Sequence, residues 1–341
     1  MSSFLKRFTI PAFVALAALP LAAQNYSLKG SIPIPGDGFW DYVSADSDAR
    51  RLYVSHGTEV AVVDLDSHAV VGAIPKTNGV HGIAVASDLG KGYISAGRDN
   101  TVVVFDLKTL ATLTTIPVGQ NPDGILYEPV THRVFTFNGR SNDSSVIDTA
   151  TNKVVASVPM GGKPEFPAAD GKGDVFVNIE DKNEILHFKA SDPSKLNHIP
   201  LEGCDEPSGL AMDRVGRRLF PVCGNNVMPV VNADSGKIVA KVKIGNGPDA
   251  AGWDPGTKLA FSSNGQDGTL TVIKQDSADQ YTVAQTVETQ KSARTMAVDL
   301  KTHTVYLPAA EFGPAPAATA DNPHPRPKML PGSFKLLIVS Q

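Results

Sequence analysis

Along this 341-residue chain, short β-rich runs of four to seven residues alternate with clusters of Gly, Asn, Asp and Pro, a pattern that predicts strands joined by tight turns. Aligned on itself, the chain repeats one unit. "DYVSADSDARRLYVSHGTEVAVVDLDSHAVVGAIP" from Asp41 matches "HGIAVASDLGKGYISAGRDNTVVVFDLKTLATLTTIP" from His81 and "DGILYEPVTHRVFTFNGRSNDSSVIDTATNKVVASVP" from Asp123. Further copies start at Glu165, where the match is degenerate, and at Ser208, Asp249 and Arg294. That makes seven units, 40 to 45 residues apart.

Each unit holds four predicted strands: a small, apolar first ("GIAV", "GLAM"), an aromatic and β-branched second ("RLYVS", "RVFTF"), a Val-rich third ("TVVVFD", "EVAVVD") and a fourth that in most units ends at an Ile-Pro or Val-Pro step. Four strands in each forty-odd residues predict an all-β, seven-bladed β-propeller of four-stranded antiparallel blades, with the small first strands at the crowded axis. The strings "RLYVS", "VVDLDSHAVVGAIP" and "RVFTFNGRSNDSSVIDTATNKVVASVPMG" resemble YVTN-type β-propeller repeats of the YncE-like family. That resemblance implies an exported seven-bladed propeller and leaves the activity open, since propellers host many functions.

Strand counting then explains why the chain begins with what reads as the tail of a unit. The last unit supplies strands at 296–299, 304–307 and 334–339 and lacks a fourth, whereas "YSLKGSIPI" (26–34) has the fourth-strand pattern and is expected to close the ring beside the last strand. Closure leaves no blade with an unpaired inner edge. Between the second and third strands of the last unit lies a Pro- and Ala-rich insertion, 311–333, expected as an extended, polyproline-like loop beside the central funnel, either lid or floppy insertion.

Composition narrows the setting. Residues 1–23 carry Lys6 and Arg7 before an apolar run and end in small residues, the layout of a cleaved signal peptide, and 24–341 read as one domain. The expectation is a periplasmic or secreted protein without a transmembrane segment, and a monomer. Without Lys6 and Arg7, 29 basic residues face 35 acidic ones, about −6, which argues against a nucleic-acid partner. Cys204 and Cys223 flank the turn "DRVGRR" nearly symmetrically, so a hairpin there would bring both to one end as a structural disulfide; two buried free thiols, or a redox-active pair without a close C-x-x-C motif, are the other readings.

Candidate chemistry sits where the first strands begin. Asp41, His81, Asp123, Glu165, Ser208, Asp249 and Arg294 are expected to ring the axis, with His56, Arg98, Asn138, Glu180, Asn264 and Glu311 as an outer set, making an acidic funnel mouth. Such a rim can simply be solvated. It can also bind a small ligand, an ion or a protein partner. A divalent metal cofactor would be held by His81, Asp123 and Glu165. A metal-assisted hydrolase or lyase on the same face, with His81 as base and Glu165 or Asp249 orienting it, is the enzymatic alternative, although no compact catalytic motif is present. His68, His132, His187, His198 and His303 read as surface or packed residues, while His324 lies in the insertion.

Overall fold

The computed structural model describes residues 25–36, 38–317 and 325–341, so the predicted signal peptide and His324 lie outside the described residues. Within them, seven four-stranded antiparallel sheets follow one another along the chain: blades 1 to 6 at 43–75, 80–117, 122–159, 164–200, 207–243 and 248–288. Blade 7 takes Ala297–Asp299, Thr304–Ala309 and Lys335–Ser340 from one end of the chain and Ser27–Pro33 from the other. Successive first strands touch around the whole circle, blade 7 meeting blade 1. Two short 3₁₀ turns, Ser87–Leu89 and Glu180–Lys182, are the only helical pieces among the described residues.

The pattern of each strand follows from its place in the blade. Second strands are buried on both faces, as in Arg51–His56 and Leu259–Asn264, and therefore read as continuous apolar runs. Outer strands are exposed except for one side chain that turns back between blades. That side chain is the Ile or Val of the recurring Ile-Pro step: Ile32, Ile74, Ile116, Val158 and Ile199 are all at most 5% exposed. The proline after it sits on an edge strand, where a missing N–H costs no ladder bond.

Blades adhere through apolar layers between their faces. Tyr53, Val60, Val62 and Ile74 of blade 1 pack on Ile83, Ile94, Val103 and Phe105 of blade 2. The N-terminal strand joins the two layers flanking blade 7: Tyr26 packs edge-on against Phe261 of blade 6, with ring centroids 5.4 Å apart, while Ile32 and Ile34 join Trp40, Val54 and Leu336. The strand pairs antiparallel with the last one, Ser27 opposite Ser340 and Ile32 opposite Leu336, as the strand count requires.

Cys204 and Cys223 form a disulfide, with Cα atoms 5.3 Å apart. The first lies just before the strand Pro207–Asp213 and the second ends Arg218–Cys223, so the hairpin brings both to one end. The insertion departs from expectation. Its two ends pair with each other: Gly313 N donates to Lys328 O at 2.9 Å and Leu330 N to Glu311 O at 2.8 Å, around a bridge between Phe312 and Met329. Phe312 and Met329 give this stem an apolar foot on Trp40, so it docks as a short ladder where a polyproline-like loop was expected.

Candidate functional site

At the start of each first strand a tight turn aims one side chain at the axis. Pro122, Pro164, Pro207 and Pro248 immediately precede the ring residues of four blades, and the residue before the proline or its equivalent adopts a left-handed conformation at Gly79, Asn121, Glu206, Gly247 and Ser292. Buried polar side chains of the second strands then fix the ring from behind. Ser95 Oγ donates to Asp123 O at 2.6 Å, Asn178 Nδ2 to Ser208 O at 2.8 Å, and Ser263 Oγ to Arg294 O, each reaching the next blade.

Three ring residues meet across the first, second and third blades. His81 Nδ1 lies 2.6 Å from Asp41 Oδ2 and 3.6 Å from Asp123 Oδ1. Arg294 Nη2 reaches Asp41 Oδ1 at 3.2 Å and Trp40 O at 3.0 Å, while its Nη1 pairs with Asp249. Glu165 stands apart from this group, held by Lys163 Nζ at 2.7 Å, and Lys163 also pairs with Glu180. Ser208 spends its hydroxyl on Asp249 O at 3.1 Å.

These contacts decide the protonation of the ring. Burial alone would lower the His81 pKa, but the Asp41 hydrogen bond and the charges of Asp123, Asp41 and Glu165 outweigh it and hold His81 up at about 9. Burial, with Asp41 nearby, pushes Asp123 up to about 7, and burial with the charge of Asp123 pushes Glu165 to about 8. Asp41 goes the other way, because Arg294 and His81 overcome its desolvation. The inner ring is thus close to charge-balanced at neutral pH.

One residue past the ring, two aromatic side chains meet. Tyr42 and Phe166, each one residue past a ring position, come from blades 1 and 4 on opposite sides of the circle, and their ring centroids lie 4.1 Å apart. The equivalent positions in other blades hold Gly82, Gly124, Gly209, Ala250 and Thr295, small enough to leave the two aromatic rings room. Burial, then the charges of Asp123, Glu165, Asp41 and Asp249, raise the Tyr42 pKa well above the usual phenol value. Its hydroxyl has no hydrogen-bond partner among the described residues.

Above the ring opens a cavity of about 650 Å³, lined by Phe39, Trp40, Asp41, His81, Asn121 and the four arginines Arg98, Arg140, Arg294 and Arg326. Among the described residues this lining is cationic where an acidic funnel was expected. The outer set divides. Arg98 lines the cavity, Glu180 is taken by Lys163, and Glu311 is exposed, 3.7 Å from Lys335. His56, Asn138 and Asn264 are corrected, being buried last residues of second strands. His56 stacks on Phe334 at 4.5 Å, Asn138 bonds to Asp143 and Ser145, and Asn264 to Thr269 and Thr271. The rim position lies two residues further on, at Thr58, Arg140 and Gln266, in register with Arg98.

The metal trio is corrected too. Among the described residues, the group able to offer converging ligand atoms is Asp41, His81 and Asp123, within 4.8 Å of one another, and Glu165 is not in it. The remaining described histidines pack or bond locally: His187 to Asp174 at 2.7 Å, His303 to Asp254 at 2.7 Å, His198 to Glu184 at 3.0 Å, and His132 to Tyr127 at 2.9 Å, while His68 lies edge-on to Tyr306. Sequence reading passed over Arg140, Arg326, Lys163 and the Tyr42–Phe166 pair. Arg140 carried a signal, because "NGR" repeats the "AGR" of Arg98.

No protein-family model matches the chain, and a search of curated proteins finds no match either. Solved structures resemble it in fold. Hydrazine synthase of Kuenenia stuttgartiensis aligns at a TM-score of 0.65 and 16% identity, covering 87% of this chain and 96% of that one. A chain in the crystal structure of the mitotic checkpoint complex aligns at 0.76 and 15% identity, covering 100% and 99%, and U3-55K at 0.76 and 9% identity, covering 94% and 99%. At these identities the likeness is one of architecture, and the chain is a seven-bladed β-propeller.

Proposed function

We propose that the chain is an exported, YVTN-type binding propeller that takes a small ligand or a protein partner on the funnel face. The observation that carries this reading is the cavity of about 650 Å³, on which the ring side chains Asp41, His81 and Arg294 converge from blades 1, 2 and 7. Membership of complexes by propellers of the same architecture supports a protein partner as the larger-scale occupant. Export is supported by the Cys204–Cys223 disulfide, since such bonds persist in oxidising compartments. The test is binding by Asp41→Ala, His81→Ala and Arg294→Ala variants against a panel of metabolites. Weakened binding is expected in each, and three variants indistinguishable from the parent would remove the funnel from consideration. Cell fractionation with N-terminal sequencing checks export, and an uncleaved chain in the cytoplasm would refute it.

The approach of Asp41, His81 and Asp123 favours metal-assisted hydrolysis as a second reading. Against it, His81 Nδ1 is already bound to Asp41 and stays protonated to about pH 9, so a metal would have to displace a proton and an ion pair. Metal content of the purified protein separates the two. A stoichiometric ion lost in the His81→Ala, Asp123→Ala double variant would favour the enzyme.

A further inference from the structure

We infer that the funnel ligand is a small organic anion carrying at least two negative groups, carboxylate or phosphate, gripped by Arg98, Arg140 and Arg326. The inference rests on the funnel being a binding site, and it fixes the sign and size of the occupant.

Charge distribution carries it. Of the four guanidiniums lining the cavity, only Arg294 is committed, to Asp41 and Asp249. Arg98, Arg140 and Arg326 are exposed and make no ion pair among the described residues. They come from three separate elements: equivalent turns of neighbouring blades 2 and 3, and the insertion of blade 7. With no counter-charge among the described residues, on a chain whose net charge is −4, these cations repel one another across a shared space, and an anion between them relieves that repulsion. The docked stem of the insertion is what presents Arg326 to the mouth, since Phe312 anchors it on Trp40.

The wall adds donors and no acceptor surplus. Among the described residues Asp41 is the one carboxylate lining the cavity, and it is neutralised by Arg294 and His81. Trp40, also in the lining and 6% exposed, has an indole N–H with no hydrogen-bond partner among the described residues. Planar guanidinium forks suit carboxylate and phosphate oxygens in bidentate pairs. A cavity of about 650 Å³ is the size that suits a small molecule.

Isothermal titration of the purified protein at low and physiological salt, with citrate, inorganic pyrophosphate, spermidine and calcium as probes, tests this. Citrate or pyrophosphate should bind at one site per chain, more weakly as salt rises, and the preferred probe tells carboxylate from phosphate. Arg98→Ala with Arg140→Ala should weaken that probe roughly a hundredfold, about tenfold per charged contact, while leaving the melting temperature unchanged because both side chains are exposed. Uptake of spermidine or calcium in place of the anions would overturn the anionic assignment and leave the funnel as a binding site. Anion affinity unchanged in the arginine pair but lost in Asp41→Ala would do the same. Anion binding unaffected by every funnel variant would overturn both readings together.

Discussion

Crowding at the axis can be tested by adding one carbon atom. A Cβ built on Gly209 would lie 2.5 Å from Asp249 O, 2.7 Å from Ala250 Cα and 2.7 Å from Ala251 N, all backbone atoms of the next blade. Ordinary contact begins near 3.4 Å, so the neighbouring strand would have to yield by about 0.7–0.9 Å, with no side chain to rotate away. Overpacking of this kind costs about 1–3 kcal/mol, and the rigid obstacle places Gly209→Ala near the upper end. At about 2 °C per kcal/mol for a chain of this size, the melting temperature should fall by roughly 6 °C. Gly139→Ala is the matched control. It lies at the funnel wall with nothing nearer than 3.6 Å and no left-handed backbone, so it should melt with the parent. Thermal unfolding followed by circular dichroism reads both. If Gly209→Ala melted with the parent, the small residues of the first strands would need an explanation other than the close approach of blades.

Three further outcomes follow from the same contacts. Asp123 and Glu165 titrate at about 7 and 8 in the folded protein and near 4 when unfolded, so the folded state holds protons that the unfolded chain releases, and stability should fall as pH rises from about 4 to 8. His81, raised to about 9, extends the fall from about 6.5 to 9, while Asp41, shifted downward, acts oppositely only in acid. Urea unfolding at pH 5, 7 and 9 should show this and Asp123→Asn should flatten it; a rise from pH 5 to 9 would contradict the protonation described. Replacing Cys204 and Cys223 by Ser should cost about 3 kcal/mol for a separation of 19 residues, seen as a lower urea midpoint that reductant does not shift further. Deleting 26–34 removes the buried side chains of Tyr26, Ile32 and Ile34, roughly 5 kcal/mol or more, and should yield associating protein in size-exclusion chromatography; a monomer of parental stability would refute the closure.

The architecture was legible because it is written seven times. Each Ile-Pro step marks one inward side chain on an outer strand, and repetition makes even the degenerate copy at Glu165 recognisable in context. Closure and the disulfide followed from counting, since a missing strand and a symmetric pair of cysteines are properties of order along the chain. The site was less legible because it depends on the parity of single residues. His56 and Asn138 end their strands pointing into the blade, whereas the rim begins two residues on, and a register read from similarity alone slipped by that interval. The sign of the mouth was hidden for another reason. Net charge averages over the surface, while Arg98, Arg140 and Arg326 are far apart in sequence and share a space only through the circular arrangement of the blades. The Tyr42–Phe166 contact joins blades that are three units apart, a distance no local pattern reports.

The pairing of Ser27–Pro33 with Lys335–Ser340 also sets a timetable. The strand Ser27–Pro33 precedes blades 1 to 6 and has a partner that follows them, so those blades can assemble in order while Ile32 and Ile34 wait for Lys335–Ser340 to be available. The entropy of closing so long a loop grows only logarithmically with its length, so waiting costs the finished fold little. It concentrates the kinetic risk in one late step, during which the N-terminal strand, with Ile32 as its one inward side chain, searches for its place. The turn at Gly36 and the docking of Trp40 just beyond it lie next to that strand and shorten the search. Folding of this ring should accordingly show a slow final phase in which the tyrosine at position 26 becomes buried against Phe261.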